Sequence, residues 1–386
     1  MKIALLIRRY LTTGGAERYA VEVARRLAQK HEVHVFAHEF EGEAGGNIFF
    51  HRVPRPFRKP AFVSQWWFAW WTARHVRGFD VVHTHERATG FDVMHIHSGT
   101  FVGGLFGVPG GQRKNPFRVW LKILTEPRVW AYWCLEKKHY RPQPGRSWIA
   151  VSQMIQREVQ HFYPIPDERF SSAHPGTDLP ATDVSAARKI WREKLQVADG
   201  ETLLIFVGSE FKRKGLDALI AALALLKNQS VKLAVLGGGD AEPYRQQAAA
   251  LGVGGKIFWA GLVKNTSDFY AAADIFVLPT LSDAGPMSPL EAMAHGCPAI
   301  FSCATYAGMA EMIADGEAIL LNHPKDAAEI AGAIGRLMNP AEREKFIRKG
   351  RALAEKLSWD RTAALVEAAL VEAALEKSAR ERGLIP

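Results

Sequence analysis

Cysteine is scarce in this sequence. The 386 residues include three cysteines, Cys134, Cys297 and Cys303, and no Cys-x-x-Cys pair. This spacing argues against a disulfide framework and against a thiolate zinc site. We therefore expect a fold that is stabilised by apolar cores.

Long hydrophobic runs are absent as well. No apolar stretch approaches the roughly 18–20 residues that cross a bilayer. The first apolar run, Ile3–Ile7, is too short for a signal-peptide core and is followed by Arg8 and Arg9. We therefore expect a cytoplasmic protein.

The length of the chain predicts about two to three domains, and a hydrophobic content of 48% is ordinary for soluble globular chains.

Two further patterns are missing. The dinucleotide fingerprint Gly-x-Gly-x-x-Gly does not occur, which argues against a nicotinamide-dependent oxidoreductase. His95 and His97 fall on one face of a predicted strand, as metal ligands would. However, no third ligand follows at a recognisable spacing, so we predict no metal site.

Positive charge is in excess and is concentrated in one segment. The net charge is +9, and residues 112–148 contain nine Lys or Arg against two Glu. Aromatic residues, including Trp120, Trp130 and Trp133, alternate with these cations. Such a segment fits an anionic membrane surface. The alternative is a solvated basic face over a core-facing aromatic stripe. Nucleic acid is not predicted as a partner, because no nucleic-acid fold motif is present.

Strands and helices alternate along the chain, which predicts parallel sheets. In the first half, strand Lys2–Ile7 precedes the Gly14-Gly15 loop and an amphipathic helix, Ala16–Gln29. A tryptophan-rich helix is predicted at Phe62–Val76, and the Gly-rich stretch Val102–Pro109 is predicted to be a loop. The predicted elements of the second half are Thr202–Val207, Leu216–Lys227, Val231–Leu236, Tyr244–Leu251, Lys256–Trp259, Ser267–Ala273 and Asp274–Leu278.

Two loops in the second half carry the candidate chemistry. Asp283 and Glu291 follow the strand Asp274–Leu278 and flank the start of a helix near Ser288, a residue that can cap it. Carboxylates there can bind sugar hydroxyls, because doubly wound sheets bind ligands at the carboxyl ends of their strands. The alternative is that Glu291 only complements the helix dipole. The loop Gly208–Gly215 contains three consecutive cations before a helix and predicts a phosphate clamp.

These motifs resemble the nucleotide-sugar site of the retaining glycosyltransferases of family four. The likeness is carried by two acids separated by seven residues and by Leu290–Ala294, Gly296 and Pro298. Gly208–Gly215, Gly-Ser-x-Phe-x-Arg-Lys-Gly, is similar to the family members that add glucose to the lipopolysaccharide inner core. The resemblance implies an α/β, GT-B fold with two doubly wound parallel-sheet (Rossmann-like) domains facing a cleft. The implied boundaries are 1–176 for the acceptor-side domain, 177–358 for the nucleotide-sugar domain, and 359–386 for a C-terminal helix that crosses back.

The resemblance also implies the site residues. Asp283, His97 and Lys214 would be catalytic, with His85 and Asp92 as alternatives to His97. Asp283 stands where the family has Glu, and Ser209 stands where it more often has Arg. No Asp-x-Asp occurs, so cations would take the place of a metal and no cofactor is expected. Donor binding is implied for Gly14, Gly15, Ser209, Arg213, Lys214, Leu262, Gly285, Pro286, Met287 and Glu291.

The function implied is transfer of a hexose from a nucleotide sugar, with glucose from UDP-glucose as the first expectation. The acceptor would be a lipopolysaccharide-core or related glycan or glycolipid at the inner face of the plasma membrane, with the enzyme peripheral there. One alternative is another donor, such as GDP-mannose or UDP-GlcNAc, for other cell-surface glycans. A second is a two-domain protein that binds a sugar without chemistry.

Overall fold

A computed structural model describes residues 1–42, 45–107, 115–180 and 184–385. Contacts between residues divide the chain into two compact units. The first is Met1–His174 together with Asp360–Pro386, and the second is Pro175–Trp359. None of the helices in the described ranges is both long enough and apolar enough to cross a membrane.

The described part of the first unit contains a parallel sheet with helices between its strands. Its strands are β1 (Lys2–Leu6), β2 (Arg9–Tyr10), β3 (Glu32–Ala37), β4 (Glu39–Phe40), β5 (Ile48–Arg52), β6 (Val81–Thr84), β7 (Val93–Ile96), β8 (Ser147–Ala150) and β9 (Phe170–Ser172). The sheet order is β5-β3-β1-β6-β7-β8-β9, and β2 pairs separately with β4. The helices up to this point are α1 (Gly15–Leu27), α2 (Ala61–His75), α3 (Phe101–Phe106), α4 (Pro116–Thr125), α5 (Pro127–His139) and α6 (Gln153–Phe162).

Helix α3 corrects one sequence prediction. The stretch Val102–Pro109 was expected to be a loop, but Phe101–Phe106 is helical; residues 108 and 109 lie outside the described ranges. The Thr100 hydroxyl caps the helix by accepting from the Gly103 N–H at 2.8 Å. The buried Glu136 carboxylate of α5 accepts from the N–H groups of Phe101 at 2.5 Å and Val102 at 3.0 Å. A carboxylate 34 residues along the chain therefore satisfies the first turn of a helix that its glycines would weaken.

The second unit contains another parallel sheet in the described residues. Its strands are β10 (Thr202–Val207), β11 (Val231–Leu236), β12 (Ile257–Gly261), β13 (Ile275–Leu278), β14 (Ala299–Ser302) and β15 (Ile319–Leu321). They lie in the order β12-β11-β10-β13-β14-β15. The helices of this unit are α7 (Val184–Lys194), α8 (Leu216–Leu225), α9 (Glu242–Ala250), α10 (Ser267–Ala272), α11 (Ser288–Ala294), α12 (Ala327–Met338) and α13 (Pro340–Lys356).

The last helix, α14 (Trp359–Glu381), returns to the first unit from Asp360 onward. Val366 and Leu370 on this helix are fully buried. Glu376 accepts from Arg169 at 2.8 Å, and Lys377 donates to Asp92 at 3.1 Å. These contacts join the C-terminal helix to the residues that immediately precede β9 and β7.

The chain segments that enter and leave the second unit run side by side at Gly176. The Thr177 N–H donates to the Leu357 carbonyl at 2.9 Å. A Cβ atom on Gly176 would lie 2.5 Å from the Ser358 carbonyl carbon, closer than real Cβ atoms come. Glycine is therefore required at position 176, where the two segments pass each other.

Candidate functional site

The strand order of the second unit creates a topological switch point between β10 and β13. From β10 the chain builds outward through β11 and β12, and then it returns to the other side of β10 to form β13. In doubly wound sheets, ligands bind at the carboxyl ends of the two strands where this reversal occurs. The loop β10–α8 and the loop β13–α11 both leave the sheet at that point.

Close packing holds the β10–α8 loop against the β13–α11 loop. Gly215 has a positive φ of 76°, and a Cβ atom there would lie 2.0 Å from the Pro279 carbonyl oxygen. The Arg213 carbonyl accepts from the Leu281 N–H at 2.8 Å and from the Thr280 hydroxyl at 3.2 Å. The backbone that carries Arg213 and Lys214 is therefore positioned by the neighbouring loop.

Lys214 and Asp283 form an ion pair, although they are 69 residues apart. Both side chains are 13% exposed, so the pair is shielded from most of the solvent. Two hydrogen bonds fix the Asp283 backbone: its N–H donates to Tyr306 at 2.7 Å, and its carbonyl accepts from Gly308 at 2.9 Å. Two of the predicted catalytic residues thus meet at the switch point.

Arg213 lies beside this pair and forms hydrogen bonds with a second carboxylate, that of Glu210. Its Nε and Nη2 atoms each donate to a Glu210 oxygen at 2.9 Å, and Nη1 donates to the Ser282 carbonyl. The hydrogen bond from Arg213 lowers the pKa of Glu210 and raises that of Arg213. Arg213 Nη1 also lies 3.9 Å from Asp283 Oδ2. Glu210 was not among the predicted site residues, because a salt bridge three residues apart in a loop has no sequence signature.

Glu291 lies on α11 and accepts a hydrogen bond from the Tyr270 hydroxyl of α10 at 3.0 Å. Tyr270 is 1% exposed, so this phenol comes from the core and orients the carboxylate. The predicted capping role of Ser288 is wrong. Met287 occupies the N-cap position, and no side chain caps the helix. Ser288 begins the helix instead, and Gly285 and Pro286 precede it in the loop.

Ser209 and Leu262, two further predicted donor-binding residues, follow strands β10 and β12. The Ser209 hydroxyl accepts from the Gly238 N–H at 3.2 Å, so it links two of the loops at this edge. Leu262 is 81% exposed, which leaves its side chain and neighbouring backbone accessible to a planar ligand.

In the first unit, Gly14 and Gly15 lie at the start of α1. Gly14 has a positive φ of 96°. A Cβ atom on Gly14 would lie 2.6 Å from a carboxylate oxygen of Glu17, and this carboxylate accepts from Arg9 at 2.6 Å. The Glu17 carboxylate, paired with Arg9, therefore lies at the amino end of the helix where donor binding was predicted.

His97 follows β7, at the carboxyl edge of the first sheet. Its Nε2 atom lies 2.7 Å from Nδ1 of His85, the alternative candidate that follows β6. Burial lowers the pKa of His97 to about 3, so its imidazole is neutral at pH 7. Asp92, the other alternative, precedes β7 and accepts from the Val82 N–H at 2.8 Å and from Lys377. The structure does not bring Asp92 to the edge occupied by His97.

Comparison with known proteins places these two units in a family. The sequence model of the family "Glycosyltransferase Family 4" matches residues 13–180, and that of "Glycosyl transferases group 1" matches residues 187–353. The chain belongs to the family-four glycosyltransferases. This confirms the family resemblance predicted from the acidic motif and the Arg-Lys-Gly loop.

Two relatives of this family-four chain differ in how much of it they match. An uncharacterized glycosyltransferase of Methanocaldococcus jannaschii, MJ1607, is 28% identical over 56% of this chain and 57% of its own length. The chain thus spans little more than half of several curated relatives. The lipopolysaccharide glucosyltransferase WaaG of Escherichia coli is 26% identical over 82% of this chain and 83% of its own length.

Solved structures show that the family-four fold is GT-B, which confirms the predicted fold class. A crystal structure of WaaG, described as a glycosyltransferase involved in lipopolysaccharide biosynthesis, has a TM-score of 0.80 with 22% identity; the match covers 95% of this chain and 98% of that one. Anabaena Alr3699/HepE, in complex with UDP and glucose, has a TM-score of 0.72 with 19% identity over 96% and 100% of the two chains.

Proposed function

We propose that this protein transfers a hexose from a nucleoside-diphosphate sugar to a glycan or glycolipid acceptor, with retention of anomeric configuration. The observation that carries the proposal is the junction of Lys214, Arg213 and Asp283 at the switch point of the second sheet, with Glu291 on the helix that follows the second loop. Cations and carboxylates meet there on two loops, as binding of a diphosphate next to a sugar requires.

The leaving diphosphate carries the largest charge that develops in the reaction. Lys214 and Arg213 would stabilise it, because preorganised cations lower the energy of a developing anion. Each of these cations pairs with a carboxylate, Asp283 or Glu210. Donor phosphates would compete for the cations, and Asp283 would then accept hydrogen bonds from the sugar hydroxyls. Glu291, held by Tyr270, would bind the ribose.

The donor we propose is UDP-glucose, and the acceptor is of the lipopolysaccharide-core type. Two named neighbours support this choice. WaaG is a lipopolysaccharide glucosyltransferase, and HepE was solved with UDP and glucose. Relatives named D-inositol 3-phosphate glycosyltransferase also match, and they support a different acceptor.

Thermal-shift screening with UDP-, GDP- and ADP-sugars tests the donor, with NAD(P) as the control that should leave the melting temperature unchanged. Release of the nucleotide should then require an acceptor glycan and should continue in EDTA. Proton NMR of the product should show the anomeric configuration of the donor. Binding of a sugar nucleotide without acceptor-dependent nucleotide release would instead favour the non-catalytic sugar-binding alternative.

We further propose that the basic aromatic segment, residues 112–148, attaches the protein to an anionic membrane surface. Residues 112–114 lie outside the described ranges. In α4, Phe117 is 74% exposed and Leu124 is 81% exposed. Exposed cations, including Lys122, lie on the same helix, whereas Val119 and Ile123 form its buried face. Large apolar side chains on the outer face favour the membrane over a merely solvated basic surface.

Flotation with phosphatidylglycerol-containing vesicles tests this attachment, and pure phosphatidylcholine vesicles are the control. Neutralising Lys137, Lys138 and Arg141 to Gln should weaken binding, since each cation near the surface contributes about 1 kcal/mol. A matched variant neutralises three exposed cations of the second unit, Lys189, Lys325 and Arg348, and it should float like the wild type. Equal flotation of both variants would count against the segment.

A further inference from the structure

Four histidine rings gather at the carboxyl edge of β6 and β7, on one face of the first sheet. His83 and His85 alternate along one strand, and His95 and His97 alternate along its parallel neighbour. The ring centroids are 4.4 Å apart for His83 and His85, 5.1 Å for His85 and His95, and 4.6 Å for His95 and His97. The pairing of the two strands brings these rings together, and it supplies the third ligand whose absence from one strand led us to predict no metal site.

The inner rings of this cluster are buried without hydrogen-bond partners. His83 is 0% exposed and His95 is 1% exposed. Within the described ranges, both nitrogens of His83, both nitrogens of His95 and Nε2 of His85 lack a partner. An unsatisfied buried polar group costs about 1–3 kcal/mol, so five such atoms together require an explanation.

The remaining contacts leave these nitrogens available. Tyr19 of α1 packs its ring edge-on against His95, with centroids 4.5 Å apart, but its hydroxyl donates to the Ala173 carbonyl at 3.0 Å. Burial lowers the pKa of His83 to about 3 and that of His95 well below its ordinary value. Both imidazoles are therefore neutral at pH 7, and each has a nitrogen lone pair to offer.

We propose that His83, His85 and His95 bind a divalent first-row transition metal, with Zn²⁺ as the reference ion. One nitrogen from each of the three rings lies within 4.8 Å of the others. Imidazole ligands suit this class of metal, and Zn²⁺ binds them at about 2.0–2.1 Å. The rings of His85 and His95 are stacked 7° from parallel, so they must turn from this arrangement for their in-plane lone pairs to converge on one ion.

The contact between His85 and His97 fits such a site. With Nε2 of His85 on the metal, its Nδ1–H donates to Nε2 of His97, 2.7 Å away. Metal-binding histidines usually donate the other ring N–H to a polar partner in this way, which fixes the tautomer and the ring orientation. His97 is partly exposed and Ser98 is exposed, so the cluster has an entry path on that side.

This metal site goes beyond the proposed transfer reaction. The proposed diphosphate contacts use cations of the second unit and need no metal, whereas the histidine cluster lies in the first unit. Because His97, a predicted catalytic residue, contacts the proposed ligand His85, variants that remove the metal are expected to affect transfer as well, and the two proposals are separated by their readouts. Metal content and spectra report on the cluster, and nucleotide release in EDTA reports on the reaction.

The test uses the full chain without a polyhistidine tag. After treatment with EDTA and dialysis, the protein should bind one equivalent of Zn²⁺, measured by elemental analysis, and its melting temperature should rise. Titration with Co²⁺ should give the intense visible absorption of a tetrahedral site. His95→Phe should abolish both signals. His139→Phe is the matched control, because His139 is also fully buried in this unit, lacks partners on both nitrogens and lies outside the cluster.

The proposal is overturned if the wild type retains no metal and shows no visible Co²⁺ band. Equal metal binding by His95→Phe would also overturn it. So would a loss of binding in His51→Phe, since that result would assign the metal to the His34–His51 pair. Circular dichroism checks that His95→Phe is folded, and His85→Asn replaces it if it is not.

Discussion

The two sheets have the same switch in strand order but different chemistry at the switch. In the first unit it lies between β1 and β6, and in the second between β10 and β13. The second unit places ionised groups there, and Lys214 and Asp283 pair with one another. The first unit places neutral, buried imidazoles beside it, with His83 and His85 at the end of β6.

This difference shows that topology selects the location of a site and side chains decide its chemistry. The partly exposed ion pairs of the second unit can exchange their partners for phosphates and hydroxyls. The histidines of the first unit are buried and packed against one another, so they are suited to a ligand that accepts neutral nitrogen lone pairs. The two edges should therefore respond differently to acid, substitution and ligands.

In the metal-free protein, mild acid should produce the largest difference in stability between the two units. A histidine whose folded pKa is depressed binds fewer protons than in the unfolded chain, so its unit loses stability as the pH falls below about 6.5. For His83 this loss of stability continues down to about pH 3. His85 and His95 act in the same direction, and Tyr19, which faces them, stays neutral because burial raises its pKa.

The second unit should resist acid longer, because in its described residues burial lowers the pKa of one histidine, His295, whereas it lowers the pKa of all four histidines in the cluster. Burial raises the pKa of Asp274, but hydrogen bonds from Leu203, Arg188 and Arg192 outweigh this and lower it below its ordinary value. Its stabilising contribution should be lost below about pH 4. Hydrogen exchange at pH 7 and pH 5, corrected for intrinsic rates, should show β6 and β7 opening before β10 and β13. The opposite order would contradict the comparison.

Lys214→Ala should reduce the rate of transfer by about 10²–10³-fold, the usual effect of removing one group that stabilises a developing anion. It also leaves the shielded Asp283 carboxylate without its ion-pair partner. Steady-state nucleotide release measures the effect. Lys325→Ala, at an exposed lysine of the same unit, is the control and should keep wild-type rates. Unchanged donor turnover in Lys214→Ala would remove the basis of the proposed mechanism.

Substitutions of Asp283 test whether its shorter side chain fully replaces the usual Glu. Asp283→Asn keeps the size but removes the charge, and we expect a loss of about 10–100-fold in kcat/KM, or about 1.4–2.8 kcal/mol. Asp283→Glu should retain activity, because the longer acid matches the family pattern. An inactive Glu variant beside an active Asn variant would show that the residue only holds Lys214 in place.

Tyr270→Phe should have the smallest effect. It removes one hydrogen bond to Glu291 but keeps the ring in the core. A hydrogen bond to a charged group contributes about 1.5–3 kcal/mol, and water can replace part of it. We expect KM for the nucleotide sugar to rise about tenfold while kcat changes little. A fall in kcat at unchanged KM would mean that Glu291 acts in the chemical step rather than in binding.

Local patterns predicted the elements of the second unit well. Strands β10 and β11 have the predicted bounds, because each is a continuous buried apolar run between polar loops. Helix α3 was missed, because its first turn depends on Glu136, which is distant in sequence. The motif around Glu291 was recognised from its spacing, but Tyr270 was not, because a tyrosine in a buried helix resembles any core aromatic.

The amino-acid sequence by itself was enough to establish three things. These are the alternation of strands and helices, the family, and the loops that carry Lys214 and Asp283. These properties depend on periodicity and short spacing, which are local. Which side chains meet was settled by the folded chain. The pairing of Lys214 with Asp283 and the gathering of four histidines both depend on which strands become neighbours. That order results from burying apolar surface across whole sheets, so no short stretch of sequence records it.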